Sequence, residues 1–498
     1  MYSSIFPCIS PDNSSTAIVS SGSCYSYSML FRRINSVAYG LLSRHSLTHQ
    51  QRVAFILPAS VDYVACMHGV WRAGGIAVPL NTASSIGELQ HYLTTADVSC
   101  LVASEDSLED LRNLASMLNI PLLTVEDIMS DSEMALPVLE PDHRALMLFT
   151  SGTTSKPKGV VTTLRNISSQ ISSLIEAWEW SSSDSIPLFL PLHHIHGIIN
   201  ILSCALASGA TVHVFPKFQI PSILRGVVGN EYTVFMAVPT VYVKLVQYLE
   251  SISSEERITV CNSFQRMRLN VSGSAACPVT LFTKWQELTS QTLLERYGMT
   301  EIGMALSNPY NGERRPGMVG QPLPGVQLEI FDETNQPIRT PDTPGEIRIK
   351  GENVFLEYWR DVTATEKSFI DGWFCTGDIG IFQDGYYRIM GRSSIDIIKS
   401  GGYKLSALEI ESVLLSHDDI SECAVVGVDD EVWGEAVEAF LVLSNAACMT
   451  YDNFKAWCSG KLSSYKIPKK IHVVDSLPRN AMGKVMKSTL KETAKCNV

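Results

Sequence analysis

Residues 150–160 read TSGTTSKPKGV and bring hydroxyls, two glycines and two lysines into one short stretch. The apolar run ALMLF at 145–149 reads as a buried strand ahead of it. Behind it, Leu164, Ile167, Ile171, Leu174 and Trp178 recur at helical spacing over 162–178. A polar, glycine-bearing loop between a strand and a helix can turn backbone N–H groups, hydroxyls and ammonium groups onto a phosphate chain. It is not a Walker loop: Pro157 stands five residues after Gly152, and no GK[ST] follows. A surface loop rich in Ser, Thr and Lys is the competing reading of the same residues.

Three further stretches could carry chemistry. In ERYGMTE, residues 295–301, Tyr297 can stack on a base, Thr300 offers a hydroxyl to a phosphate oxygen, and Glu301 is a hard carboxylate suited to Mg²⁺. The alternative there is a capped helix end. PLHHIHG at 191–197 holds three histidines, and HHxH spacing invites a metal reading, although both His194 and His196 would also serve as core histidines. PRNAMGKVMK at 478–487 puts Lys484 in a glycine-bearing turn before a last helix, where an exposed lysine is the commonest outcome.

Taken together and in this order, TSGTTSKPKG and YGMTE resemble the two nucleotide motifs of the adenylate-forming superfamily, which includes acyl-CoA synthetases, luciferases and peptide-synthetase adenylation domains. The resemblance implies ATP contacts from Thr150, Ser151, Gly152, Thr153, Thr154 and Lys158. It implies others from Glu295, Arg296, Tyr297, Gly298, Met299 and Thr300, with Glu301 as the magnesium ligand. SGSAACP at 272–278 looks like the adenine-side loop, with the backbone of Gly273, Ser274 and Ala275 close to the base. Thr376–Gly377–Asp378 resembles the TGD element, whose carboxylate takes the ribose hydroxyls, and Arg392 would contact the ribose from the other side. The lysine matching Lys484 reaches in from a small domain to the α-phosphate and the substrate carboxylate. An ammonium between two anions stabilises the transition state for attack of one on the other. Within this order of motifs the histidines read as acyl-site residues and not as metal ligands, with His194 beside the reacting acyl group and His196 lining the carboxylate pocket. Ser155 departs from the family pattern, standing where glycine is usual.

The acid is suggested by charge. A short diacid needs a cation for its far carboxylate, because an unpaired buried anion is costly. NPYNGERRPGMVG at 308–320 supplies Arg314 and Arg315, and VPTVYVKL at 238–245 supplies Lys244. With PLHHIHG, SGSAACP and LLERYGMTE, these segments resemble the malonyl-CoA synthetases within the superfamily, from about residue 50 onward. Arg314 matches an arginine of that group's diacid pocket, and Lys244 replaces an arginine found in several members. The implied activity is an ATP-dependent acid-CoA ligase acting on malonate, with Mg²⁺ as cofactor and ATP and coenzyme A as co-substrates. Other acids (methylmalonate, a short or medium monocarboxylate, an aromatic acid) and a non-catalytic adenylate-binding sensor are the alternatives. Lys399, Gly401 and Gly402 match the segment presented to the site in the CoA half-reaction. The pivot between the two half-reactions falls at Ser394 or, with a one-residue insertion, at Asp396.

These side chains need a framework of two or more domains at 498 residues. Helical and strand patterns alternate over 1–140 and again after the loop, which predicts parallel sheet covered by helices. Short alternating strands over 326–389 predict a β-rich lobe. The expected fold is therefore α/β: a large N-terminal domain of α/β layers with a β lobe, residues 1–390, followed by a small, mobile α+β domain, residues 391–498, carrying Lys484. A formal charge of −12 without a basic stripe excludes a nucleic-acid partner. The 12 scattered cysteines suit free thiols in a reducing compartment, so a cytoplasmic location is expected, with mitochondrial or peroxisomal ones left open. No basic-then-apolar leader, membrane span or carrier domain is expected from the residues given.

Overall fold

The computed structural model describes residues 1–150, 157–400, 403–431, 433–444, 449–479 and 485–496. A seven-stranded sheet occupies the first part of the chain. Its order is Glu357–Tyr358, Lys158–Thr163, Arg144–Thr150, Ile76–Pro79, Arg52–Ile56, Cys100–Ala103, Leu122–Leu123. The last five strands run parallel, and the first two join antiparallel. Because side chains alternate across a strand, Val53 and Phe55 enter one core while Ala54 and Ile56 enter another. Helices Tyr27–Ser43 and Val61–Arg72 cover the first face, and Ile86–Ala96 and Leu108–Leu118 cover the second.

Serine and threonine caps start these helices. Ser60 accepts from the Tyr63 amide, and Ser85 and Glu88 close a reciprocal capping box. Thr163 and Asn166 form a similar pair at the start of helix Leu164–Trp178. This start lies beyond the expected one. Residues 158–163 form a strand paired antiparallel with Arg144–Thr150, so two strands, not a strand and a helix, stand on either side of 151–156 in the chain. Val160, Val161, Thr162 and Thr163 are β-branched, which favours the strand until the cap. The chain after the histidines changes its winding: His196–Ser203 is a π-helix and Cys204–Ser208 an α-helix.

A second sheet, Val234–Ala237, Leu269–Ser272, Leu294–Met299, Gly303–Ser307, Gln321–Pro322, is parallel through its first three strands and then antiparallel. A smaller sheet places Ser185–Leu188 beside Thr211–Val214. The lobe is an antiparallel sheet of Gln327–Phe331, Gly345–Lys350, Trp373–Gln383, Phe369–Ile370 and Tyr386–Arg392 over its own apolar core. Further on, strands Ile397–Ser400, Tyr403–Ser406, Ile420–Asp430, Gly434–Leu443 and Lys470–Val473 form one sheet. Helices Ala407–Leu414 and Tyr451–Cys458 pack on one of its faces and Lys487–Cys496 on the other. Among the described residues no helix is long and apolar enough to cross a membrane.

Candidate active site

Strand Leu294–Met299 is the spine of the site. Its alternation sends Glu295 and Arg296 to opposite faces, and both are buried. Glu295 turns toward the chain after the loop and accepts the Gly317 amide at 2.9 Å. Burial pushes its carboxyl up to about 8. Arg296 is 3% exposed, and its Nη2 donates to the Ser274 hydroxyl at 3.2 Å. Its Nε has no partner, and burial alone pulls the guanidinium down to about 9. The same Ser274 hydroxyl lies 3.3 Å from His196 Nδ1, so Ser274 links the strand to the start of the π-helix. His196 Nε2 also lacks a partner, and burial, with Arg296 nearby, holds this ring neutral. His194 packs against His193 with ring centres 4.1 Å apart and the ring planes tilted by 54°. Among the described residues no group of three His, Cys, Asp or Glu side chains is placed to hold a metal.

Toward the strand's C-terminal end, a second cluster forms against the lobe. The Tyr297 hydroxyl donates to Asp378 Oδ2 at 2.5 Å, and Arg392 Nε meets Asp378 Oδ1 at 3.0 Å. Asp378 and Arg392 face each other in register on adjacent strands. Burial raises the Asp378 carboxyl, and Arg392 opposes that rise. Arg392 Nη2 also lies 3.9 Å from Met299 Sδ. At Gly298 an added Cβ would fall on the Gly303 carbonyl oxygen, so glycine is what permits the tight hairpin that follows. Thr300 sits half-buried in that turn, and Glu301, buried beside it, accepts the Tyr358 hydroxyl at 3.0 Å. Burial raises the Glu301 carboxyl as well.

Tyr358 is absent from the sequence reading and joins two of its sites. Its hydroxyl reaches Glu301, and its ring face carries Lys158, whose Nζ is 4.9 Å from the ring centre and 3.6 Å from Asp361. Lys158 and Thr150 pair across the antiparallel strands that bracket residues 151–156. Ser151, Gly152, Thr153 and Thr154 lie outside the described residues, as do Gly401, Gly402 and Lys484. Lys399 is exposed, and its amide donates to Glu435 at 2.7 Å. Residues 479 and 485, which flank the stretch containing Lys484, pair as a bridge.

Among the described residues no hydrogen bond or ion pair joins the two cations singled out for a diacid to these groups. Lys244 is exposed on helix Pro239–Ser251. Arg314 donates to the carbonyl oxygens of Thr292 at 2.7 Å, Tyr310 at 2.9 Å and Pro309 at 3.3 Å, which folds the 309–316 loop around it. Thr292 precedes the spine strand, four residues before Arg296, or about 13 Å of extended chain. Arg315 is spent on Glu313 and the ring of Tyr386. The buried cation beside the histidines is Arg296. The loop glycine has a related reason: a Cβ on Gly273 would lie 2.6 Å from Arg296 Cζ.

Glu301, a buried carboxylate beside the Tyr358 hydroxyl, fits Mg²⁺, which keeps most of its waters and takes few protein ligands.

Residues 11–359 match the family described as AMP-binding enzyme, and residues 409–484 match the AMP-binding enzyme C-terminal domain. The mitochondrial malonate-CoA ligase of Mus musculus is 41% identical over 475 residues, covering 89% of this chain and 81% of that protein. A malonate-CoA ligase of Arabidopsis thaliana is 39% identical, covering 89% and 78%. The crystal structure of ATP-bound MatB from Rhodopseudomonas palustris superposes with a TM-score of 0.91 at 34% identity, covering 99% of each chain.

Proposed function

The chain belongs to the family of AMP-binding enzymes, and from that membership and the buried Arg296 we propose that it is an ATP-dependent malonate-CoA ligase. It converts malonate, ATP and CoA to malonyl-CoA, AMP and pyrophosphate. In the first step a malonate carboxylate oxygen attacks the α-phosphorus, the bond to the bridging oxygen breaks, and pyrophosphate leaves. In the second, the CoA thiolate attacks the acyl carbon, the bond to AMP breaks, and the thiol proton goes to solvent.

Residue roles are assigned from the chemistry of these side chains and from the motifs that carry them. Asp378, oriented by Tyr297 and Arg392, takes the ribose hydroxyls. Lys158, with the strands on either side of 151–156, faces the phosphates. Glu301 would hold Mg²⁺, which would supply positive charge to the phosphates. Lys484 brings an ammonium to the two reacting anions from a second domain, residues 391–498, which turns relative to residues 1–390 between the half-reactions. His194 stands at the acyl group where the thiol enters, and Lys399, Gly401 and Gly402 face the site in that second step. The described cysteines are free, which fits a reducing compartment.

The observation that carries malonate is Arg296. A guanidinium this buried, with no carboxylate partner among the described residues and one N–H unpartnered, is costly until an anion reaches it. The far carboxylate of a short diacid is such an anion, and His196 and Ser274 would complete its cradle. AMP release with malonate, acetate and hexanoate tests the reading: release with malonate alone is expected, and equal release with acetate would overturn the diacid assignment.

A further inference from the structure

Lys487 is the first residue of helix Lys487–Cys496, and its side chain is buried. Its ammonium lies 2.6 Å from Asp396 Oδ1 and 2.6 Å from Glu411 Oε1. Glu411 is fixed in turn: it stands on helix Ala407–Leu414, and its Oε1 accepts the Val425 amide at 2.7 Å. Leu490 and Ala494 hold the rest of the last helix against the sheet. A buried lysine shared by two carboxylates resists leaving, because removing one partner strands a charge.

Asp396 faces two ways. Oδ1 holds Lys487, while Oδ2 accepts the Arg392 amide at 3.0 Å, and the Asp396 amide donates to the Arg392 carbonyl at 2.8 Å. The Asp396 carbonyl accepts from Ala407 at 2.8 Å, which ties its backbone to the same helix as Glu411. Arg392 is the residue whose guanidinium pairs with Asp378. A continuous run of polar contacts thus joins Tyr297, Asp378, Arg392, Asp396 and Lys487. It ends three residues from Lys484, a span of chain no longer than about 11 Å.

We propose that Asp396 and Lys487 are a positioning pair for the adenylation half-reaction, fastening the segment that carries Lys484 to the linker next to the ribose-binding carboxylate. Ser393 still belongs to the lobe, since its amide donates to the Gly377 carbonyl at 2.9 Å. Asp396 belongs to the second sheet domain through Lys487 and Ala407. Rotation therefore takes place at the exposed Ser394, between them; it breaks the Arg392–Asp396 contacts and keeps the Asp396–Lys487–Glu411 cluster. The pair matters when Lys484 must sit at the α-phosphate and is dispensable once that lysine has withdrawn. This inference rests on the ligase reading and on Lys484 as its adenylation lysine.

The test separates the half-reactions. Asp396→Asn keeps an acceptor for the Arg392 amide and removes the charge facing Lys487; Lys487→Met removes the other charge; Lys487→Arg keeps it. Adenylation is read as malonate-dependent exchange of pyrophosphate into ATP, and the second step as malonyl-CoA formed from supplied malonyl-adenylate and CoA. Asp396→Asn and Lys487→Met are expected to lose about tenfold to a hundredfold in exchange, with the second step within about twofold and Lys487→Arg close to wild type. Equal losses in both steps, or no loss in exchange, would overturn the proposal. Asp396→Glu, which keeps both charges and shifts the carboxylate by one methylene, decides it if the other variants do not fold. Exchange must fall without the second step, and equal loss or none in this variant overturns the pair. A wild-type enzyme without malonate-dependent exchange faults the substrate instead. The ratio of half-reactions, read with the acid that does support exchange, then still decides the pair.

Discussion

The Tyr297 hydroxyl donates to Asp378 at 2.5 Å across the junction between the second sheet and the lobe. With Arg392 on the other carboxylate oxygen, Asp378 is held from two sides before any nucleotide arrives. Pre-organisation of this kind lowers the ordering cost of binding. Asp378→Asn removes the charge that both neighbours satisfy, and it should raise the KM for ATP about tenfold, or roughly 1.4 kcal/mol. Tyr297→Phe should raise it less, because one orienting bond is lost and the charge remains. Initial-rate kinetics at saturating malonate and CoA measure both, and a larger effect of Tyr297→Phe would place the ribose elsewhere.

Arg296 and Arg314 make opposite predictions. Arg296→Met removes the buried cation beside His196, so turnover of malonate should fall about a hundredfold or more, in keeping with loss of a charge-assisted contact. Acetate, which has no second carboxylate, should stay as poor a substrate for this variant as for the wild type. Arg314→Ala removes three donors to loop carbonyls and should act on stability, lowering the melting temperature while leaving the KM for malonate within about twofold. Paired melting curves and acid-dependent kinetics separate the two roles. A malonate KM that rises with Arg314→Ala and not with Arg296→Met would make the loop arginine the diacid ligand.

Local signals made much of the framework readable. The strand at 52–56 and the helix at 86–96 follow from alternation, from helical spacing and from Ser85 with Glu88 three residues on. Thr450 and Ser406 likewise mark the starts of their helices. The strand at 158–163 was masked, because Leu164 and Ile167 begin a helical pattern just behind four β-branched residues. At the site, alternation already separates Glu295 from Arg296, but it does not say which face meets ligand. That depends on Ser274 in the loop after strand Leu269–Ser272 and on His196 at the start of the π-helix, 78 residues before Ser274. Tyr358 carried no motif at all, and its role comes from an edge strand pairing with residues 158–163. Likewise the Asp396–Lys487 pair spans 91 residues and has no local spacing to reveal it.

Glu295 gives a pH dependence with a definite sign. Burial pushes its carboxyl up to about 8 in the folded chain, against 4.5 for an ordinary glutamate. Between those values the folded protein holds a proton that the unfolded chain releases, so stability from this group falls as pH rises and levels off above the folded value. Glu295→Gln keeps the amide contact to Gly317 and cannot ionise. The melting temperature of the wild type, relative to Glu295→Gln, should therefore drop by a few degrees between about pH 5.5 and pH 8.5. Parallel curves for the two proteins across that range would show that Glu295 is ionised in the folded state.

Gly273 distinguishes two reasons for a small residue in the loop at 272–278. If the base were what crowds it, a methyl there would weaken ATP. The close neighbour is instead the Arg296 guanidinium: a Cβ on Gly273 would stand 2.6 Å from both its Cζ and its Nε. An exposed arginine would swing aside at little cost, but this one is 3% exposed and anchored to Ser274, so it would have to shift into packed surroundings. Gly273→Ala should therefore raise the KM for malonate by about tenfold and that for ATP by about twofold or less, because the displaced group faces the acid. Pairing the change with Arg296→Met completes the argument: once the guanidinium is gone the methyl has room, and the two effects on malonate should be far from additive. Additive losses, or a greater loss for ATP than for malonate, would mean that Gly273 is small for the sake of the nucleotide.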